Sequence, residues 1–324
     1  MLSSFHLFKK DFFGKINLMI KRIANKLDTL KNLRFFKKHS NCSLPYCIKL
    51  ESGKPGPSVL IIASIHGNEV VGANFARLFI KHLKKKDYEL LRGTVYIVLG
   101  NPEAHKKNRR FIDSDLNRSF LSKKDLKLYE HKRAEEIEKY FANKKIDYVI
   151  DLHSVSIGDN KMLIIHRDIL DDLSFMLKKT KLDTVFVYKD NDIPGIAINH
   201  FIKKHRALAL SVECGNHFSR SATETAKHEV YLLLSKLNML NIETKERKHP
   251  LTIYKTLGFI KTGPKFKWTI KPKTGLKLKA GQIFAKDAKN GEHKAPKDCT
   301  LVMPSKSVSE KDHDAGFLCE EVRI

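Results

Sequence analysis

Several features that define other protein classes are missing from this 324-residue chain. No stretch approaches the run of roughly 18 apolar residues that a transmembrane helix requires. Lysines interrupt each apolar stretch near the N-terminus, which argues against a signal peptide. With 42% hydrophobic and 30% charged residues, the chain is predicted to be a soluble globular protein with one large domain or two smaller ones.

Cysteine is scarce and follows no metal-binding pattern. The chain has five cysteines, with no CxxC pair and no zinc-ribbon spacing: Cys42, Cys47, Cys214, Cys299 and Cys319. An odd number of cysteines without a signal peptide indicates reduced thiols in a cytoplasmic protein. Any metal site in this chain is therefore expected to use histidine and carboxylate ligands.

Acidic residues are also few, with 36 Asp and Glu against 61 Lys and Arg, which gives a net charge of +25. Nucleic-acid binding, a membrane-surface role and a lysine-rich proteome background all explain such a charge. The lysines are spread over the whole chain, whereas a nucleic-acid module clusters them and interleaves aromatic residues. This distribution favours background, with no specific nucleic-acid partner and an attraction for anionic substrates as a by-product.

Residues 1–44 alternate between apolar and basic side chains with the spacing of an amphipathic helix. Two roles suit such an N-terminal extension. It can bind a membrane surface or a partner, or it can pack on the main domain. The sequence leaves both roles open, and it also leaves open whether the chain forms an oligomer.

Strand and helix patterns alternate between residues 45 and 247. Strands are predicted near residues 59–65, 93–99, 147–153, 162–165, 184–188 and 207–213, and one of the helices is predicted from about Lys123 to Phe141. This alternation predicts an α/β domain whose mostly parallel or mixed sheet is flanked by helices. Residues 248–324 contain short alternating segments between Gly, Pro and Lys turns, which predicts a smaller C-terminal β-rich domain.

The apolar run from Val59 to Ile65 ends at His66-Gly67-Asn68-Glu69, and a helical pattern follows. This arrangement places His66 and Glu69 at the carboxyl end of the sheet, where open α/β folds bind their ligands. One imidazole and one carboxylate can fill two of the three protein positions around a catalytic zinc ion. Alternatively, His66 caps the helix and Glu69 complements its dipole.

Two more strand ends offer polar groups to the same edge. His153 ends the third strand and Glu213 ends the last. Burying two imidazoles and two carboxylates together is costly unless a cation unites them. The adjacent Asn117 and Arg118 suit a substrate carboxylate, although an ordinary solvated basic turn has the same composition.

Five motifs resemble those of the succinylglutamate desuccinylase/aspartoacylase family, a branch of the zinc carboxypeptidase-like hydrolases. In chain order they are H-G-N-E (66–69), N-P-x-A (101–104), R-R-F-I-D-S-D-L-N-R-S-F (109–120), D-L-H (151–153) and V-E-C-G (212–215). The resemblance runs from about residue 55 to residue 220. It implies a zinc carboxypeptidase-like fold with one zinc ion per chain, and the β-rich C-terminal region fits the second domain of this family.

The resemblance also implies a role for each matching residue. His66, Glu69 and His153 would bind zinc and leave the fourth position for water or a substrate carbonyl oxygen. Asp115 would accept the other ring N–H of His66 and so fix its tautomer.

Four further residues would act on the substrate. Glu213 would take a proton from the attacking water and pass it to the leaving amine. Arg110 would polarise the scissile carbonyl group. Asn117 and Arg118 would bind a substrate carboxylate.

The chain departs from the family pattern in two places. Members that cleave N-acetylaspartate carry an arginine and a tyrosine shortly before the catalytic glutamate. Here residues 200–206 read His-Phe-Ile-Lys-Lys-His-Arg, so Lys203, Lys204 or Arg206 would have to serve. A tyrosine of the family's β domain has no counterpart at Ala315–Leu318. Both departures argue against an acyl-aspartate substrate and leave the metal chemistry untouched.

The leading prediction is a zinc-dependent amidohydrolase that splits a small anionic N-acyl amino acid, or a related amide or ester, into carboxylate and amine. A carboxypeptidase or a peptidoglycan-peptide amidase would use the same metal ligands and the same Asn-Arg pair. A non-catalytic basic binding protein on a hydrolase scaffold is the third alternative, from a different functional class.

Overall fold

A computed structural model describes residues 19, 23–155, 159–189, 192, 196–305 and 314–324. Most of the predicted amphipathic segment before residue 23 therefore lies outside the described residues. The chain divides into two compact units. The first comprises the described parts of Met1–Lys161, Lys178–Lys181 and Gly195–Arg247, and the second those of Met162–Leu177, Leu182–Pro194 and Lys248–Ile324. The proposed domain boundary at residues 247/248 stays a prediction.

The first unit is built on five strands, numbered along the chain: β1 (Cys47–Glu51), β2 (Ser58–Ala63), β3 (Thr94–Leu99), β4 (Tyr148–Val155) and β7 (Leu208–Asn216). Their hydrogen-bonded order is β1-β3-β2-β4-β7. The β3-β2, β2-β4 and β4-β7 pairs are parallel, and β1 is antiparallel to β3. Because β2 and β4 are central, their apolar residues are buried nearly throughout.

The described residues form seven α-helices: α1 (23–39), α2 (Val71–Lys84), α3 (Pro102–Lys107), α4 (Tyr129–Phe141), α5 (Ser174–Lys179), α6 (Ala197–His205) and α7 (Arg220–Lys236). Helix α4 begins at Tyr129 and not near Lys123. The backbone N–H of Tyr129 donates to Asp113 Oδ2 at 2.8 Å. A carboxylate from a distant loop thus marks the start of this helix, and no local sequence pattern reveals it. Among the described residues, no helix combines the length and apolar character needed to cross a membrane.

The second unit contains the remaining strands: β5 (Lys161–His166), β6 (Thr184–Tyr188), β8 (Thr252–Lys261), β9 (Lys267–Trp268), β10 (Leu276–Leu278), β11 (Ile283–Asp287), β12 (Gly291–Lys294), β13 (Cys299–Val302) and β14 (Asp314–Arg323). Strands β5-β6-β8-β14-β13-β10 are neighbours in that order, and β12-β11-β9 form a small separate sheet. A core of aliphatic and aromatic side chains, including Ile260, Phe284 and Leu301, fills this unit. The predicted fold class, a mixed sheet flanked by helices with a β-rich C-terminal region, is confirmed.

Candidate active site

The predicted site residues of the first unit meet at the carboxyl edge of its sheet. His66 follows β2, while His153 and Glu213 lie at paired positions near the ends of β4 and β7. Parallel strands end at the same edge, so residues far apart in the sequence become neighbours.

His66, Glu69 and His153 form a buried group whose ligand atoms all lie within 4.8 Å of one another. Nδ1 of His66 is 2.8 Å from Glu69 Oε1, and Nδ1 of His153 is 3.2 Å from Glu69 Oε2. Both rings therefore turn the same nitrogen toward one carboxylate. This group can hold a metal ion.

A second carboxylate contacts the far nitrogen of each ring. Nε2 of His66 lies 3.1 Å from Asp115 Oδ1, and Nε2 of His153 lies 2.8 Å from Asp151 Oδ2. Asp115 was predicted for this position from the sequence motifs, whereas Asp151 was not. The available signal was the spacing of Asp151 and His153, because residues two apart on a strand share one face.

The charges within this group shift the pKa values of Glu69 and His153. Burial raises the pKa of Glu69, but the two imidazoles outweigh it and bring that pKa well below its usual range. Burial lowers the pKa of His153, but Asp151 and Glu69 outweigh it and bring that pKa well above its usual range. The carboxylates that favour a proton on this ring also favour a metal cation in its place.

The loop after β2 is held in place by helix α3. A Cβ atom at Gly67 would lie 2.2 Å from the carbonyl carbon of Ala104, so only glycine fits there. His105 is fully buried, and its Nδ1 lies 2.9 Å from the Gly67 carbonyl oxygen. Burial lowers the pKa of His105 to about 4, so the ring is neutral at physiological pH and donates to that oxygen.

The loop that carries Asp115 is held by Glu130 of α4, which is fully buried. The Glu130 carboxylate accepts the backbone N–H groups of Ile112, Asp113 and Ser114 at 2.6, 3.0 and 3.1 Å. The role of Glu130 could not be predicted from the sequence, because its partners are main-chain atoms that no residue pattern reveals.

Arg110 reaches both carboxylates around His66. Its Nη2 is 3.1 Å from Asp115 Oδ2 and its Nη1 is 3.5 Å from Glu69 Oε1. About half of the side chain is exposed, so the guanidinium lies between the buried group and solvent.

Asn117 and Arg118 lie beside this group. The Oδ1 atom of Asn117 accepts the backbone N–H of Ala197 at 3.0 Å, and its Nδ2 lies 3.5 Å from His153 Nε2. Arg118 is exposed and donates from Nη1 to the Asn117 carbonyl oxygen at 2.9 Å. The structure thus brings the predicted carboxylate-binding pair to the rim of the site.

Glu213 has the properties of a proton-transfer group. Its Oε2 atom is buried and makes no hydrogen bond to any described residue. The pKa of Glu213 is raised to about 7, mainly because burial disfavours the charged carboxylate. A carboxylate with a pKa near neutrality can take up and release a proton at physiological pH.

The three residues proposed to replace the missing family arginine lie away from the candidate active site. Lys203 and Lys204 are exposed near the C-terminus of α6. Arg206 lines a cavity at the opposite edge of the sheet, together with Lys145 and Leu208. More than half of β7 separates this edge from Glu213, so Arg206 does not contact the site.

These features define an α/β protein with a candidate metal centre at the carboxyl edge of its sheet. The family model described as the succinylglutamate desuccinylase/aspartoacylase catalytic domain matches residues 55–236, more than half of the 324 residues. The chain therefore belongs to the succinylglutamate desuccinylase/aspartoacylase family, as its motifs predicted.

Relatives of known name match over a shorter region. A probable aspartoacylase from Prochlorococcus marinus subsp. pastoris is 34% identical over 111 residues, covering 33% of this chain and 37% of the relative. An N-acyl-aromatic-L-amino acid amidohydrolase (carboxylate-forming) from Xenopus laevis is 34% identical over 113 residues, covering 32% of this chain and 35% of the relative. The matched part thus spans little more than a third of either relative.

Crystal structures extend the similarity of fold over most of the chain. Succinylglutamate desuccinylase from Vibrio parahaemolyticus superposes with a TM-score of 0.71 at 17% identity, covering 85% of this chain and 86% of that one. Murine aminoacylase 3 superposes with a TM-score of 0.59 at 19% identity, covering 84% and 98%. At these identities the similarity shows a shared fold.

Proposed function

We propose that this protein is a zinc-dependent hydrolase that cleaves the amide or ester bond of a small N-acyl amino acid, giving a carboxylate and an amine or alcohol. The observation that supports this most strongly is the meeting of His66, Glu69 and His153 at one edge of the sheet, beside Glu213. The family of the chain is consistent with this chemistry.

The donor set fits zinc. Two imidazole nitrogens and one carboxylate oxygen are a common ligand set of catalytic zinc sites, and each imidazole has a carboxylate at its other nitrogen, as zinc-binding histidines usually do. His66, Glu69 and His153 would hold the ion. When bound, it would polarise the substrate carbonyl group and lower the pKa of water.

The residues of the chain would move the proton and orient the substrate. Glu213 would accept a proton at Oε2, which has no competing hydrogen bond from the described residues, and deliver it to the leaving amine. Arg110 would donate to the oxygen that becomes negative during the attack. Asn117 and Arg118 would bind the carboxylate of the amino-acid half.

A substrate panel tests the proposal directly. The purified protein, with its metal content measured, is incubated with N-succinyl amino acids, N-acetyl amino acids and short peptides. Release of succinate or acetate is the expected result. Release of a C-terminal amino acid from the peptides would instead indicate a carboxypeptidase, and no hydrolysis by the zinc-loaded protein would contradict the proposal.

Arg118 is expected to set the affinity for the substrate carboxylate. Arg118→Gln removes a charge-assisted pair, so KM should rise about tenfold or more with a small change in kcat. Arg109→Gln is the matched control, because Arg109 is an exposed arginine of the same loop. A substrate whose carboxylate is converted to an amide should not distinguish Arg118→Gln from the unmodified protein. An unchanged KM for the carboxylate substrate would show that another group binds it.

Asp151 is expected to strengthen metal binding through His153. Asp151→Asn keeps the shape of the side chain but removes the charge behind the ring, so zinc affinity should fall by about 10- to 100-fold. Competition with a chromogenic chelator measures this affinity. Asp147→Asn is the control, because Asp147 lies just before the same strand and binds Ser58 and Lys145. Equal affinity in the two variants would contradict the role of Asp151.

A further inference from the structure

Helix α1 packs on the first unit through a mostly polar face. Asn25, Thr29, Asn32 and Phe36 are buried and lie on one side of the helix. Asn25 Nδ2 donates to Asn108 Oδ1 at 3.0 Å and to the carbonyl oxygen of Asn68 at 3.3 Å. This helix therefore directly contacts the loop that carries the metal-binding residues.

A second pair of contacts fixes the rotation of the helix. Asn32 Nδ2 donates to Asn74 Oδ1 at 3.1 Å, and Arg77 Nη1 donates to Asn32 Oδ1 at 3.1 Å. Rolling the helix to bury another face would break these hydrogen bonds and those of Asn25. The opposite face must therefore point outward.

That outward face is apolar in its first half. It carries three large hydrophobic side chains with exposed fractions from 42% to 52%: Ile23, Leu27 and Leu30. Their spacing of four and three residues places them on one stripe of the helix. A helix of a globular protein normally turns its apolar stripe toward the core. Here the apolar stripe faces outward and the polar face packs on the protein. Contiguous exposed apolar side chains indicate an interaction surface.

Basic residues flank and continue this stripe. The described part of the helix carries five exposed cationic side chains: Lys26, Lys31, Arg34, Lys37 and Lys38. The single acidic residue between 23 and 39 is Asp28, which points away from the stripe, because its Oδ2 accepts from Asn74 Nδ2 at 3.3 Å. The outward surface is therefore apolar in the centre and positively charged around it.

We propose that this face of α1 binds the surface of an anionic lipid bilayer, with the helix lying in the plane of the membrane. An apolar stripe with lysines beside it is the pattern of interfacial helices, whose long basic side chains reach out to the headgroups. A second copy of this helix fits less well. The stripe ends where Arg34 and Lys37 replace apolar residues, it is shorter than the three to four heptads typical of a coiled coil, and two such faces would repel.

Vesicle flotation with the full chain tests this binding. The protein should float with vesicles of equimolar phosphatidylglycerol and phosphatidylcholine, remain unbound with phosphatidylcholine alone, and dissociate as salt is raised. The triple variant Ile23→Gln/Leu27→Gln/Leu30→Gln should lower binding to the mixed vesicles at least tenfold. Its thermal unfolding midpoint should stay unchanged, because the three side chains are exposed.

A control variant changes exposed apolar residues elsewhere. Leu126→Gln/Val322→Gln removes side chains of similar exposure and should float like the unmodified protein. Equal flotation with neutral vesicles, or full binding by the triple variant, would overturn the proposal. Two other results would do the same: a dimer that dissociates in the triple variant would show that a second copy covers the stripe, and a large fall in its unfolding temperature would show that part of its own chain does.

Discussion

Glu213→Gln is expected to abolish turnover and to leave the bound metal in place. Glutamine keeps the size of the side chain but cannot accept the proton, and general acid–base catalysis contributes up to about 10⁴-fold in rate. Because Glu213 is proposed to act first as base and then as acid, kcat should fall by about 10³-fold or more. Metal analysis of the purified variant should give the same stoichiometry as the unmodified protein.

A pH profile separates this role from a merely structural one. Glu213 can serve as the proposed base only in its carboxylate form, so kcat/KM should fall at acid pH as this group becomes protonated. The residual activity of Glu213→Gln should lack this acid limb. Glu224→Gln, at an exposed glutamate of α7, should retain both activity and profile. Loss of metal from the Glu213 variant would show that its role is misassigned.

Glu69→Gln is expected to remove the metal itself. The Glu69 carboxylate is the group that both histidines face, and its Oε2 also accepts the backbone N–H of Ser154 at 2.9 Å. Glutamine can preserve the contacts made by one of the two oxygens but lacks the charge that balances the cation. Residues that merely support a ligand change metal affinity by about 10- to 100-fold, so replacing a ligand should exceed that range.

Metal content and activity should therefore fall together in Glu69→Gln, whereas they separate in Glu213→Gln. Equilibrium dialysis against a range of zinc concentrations measures the first, and the substrate panel measures the second. Urea unfolding shows whether the variant is folded, and Glu224→Gln again provides the control. A Glu69 variant that keeps full zinc affinity would exclude the proposed ligand set.

The strands that position the site were visible in the sequence. The apolar runs near residues 59–65, 147–153 and 207–213 correspond to β2, β4 and β7. Strands in the middle of a parallel sheet are covered on both faces, so they must be apolar almost throughout. A polar residue at the end of such a run is conspicuous, and this made His66, His153 and Glu213 candidates.

The contacts that hold the loops of the site in place could not be predicted from the sequence. Asp113 marks the start of α4, and Glu130 of that helix in turn holds the loop that carries Asp115. Each contact joins segments that are distant in the sequence, and one partner is a main-chain atom. A main-chain N–H is present in nearly every residue, so the sequence does not show which one a buried carboxylate will accept.

The positions of the apolar strands and the residue types at their ends can be read from the amino-acid sequence, because burial dictates hydrophobic runs. The same information identified the family and suggested which residue types would form the candidate metal centre. Three features emerge only in the folded protein: both Nδ1 atoms face Glu69, Asp151 lies behind His153, and α1 turns its apolar stripe outward. These features depend on strand order and on contacts between distant segments, which form only when the whole unit packs.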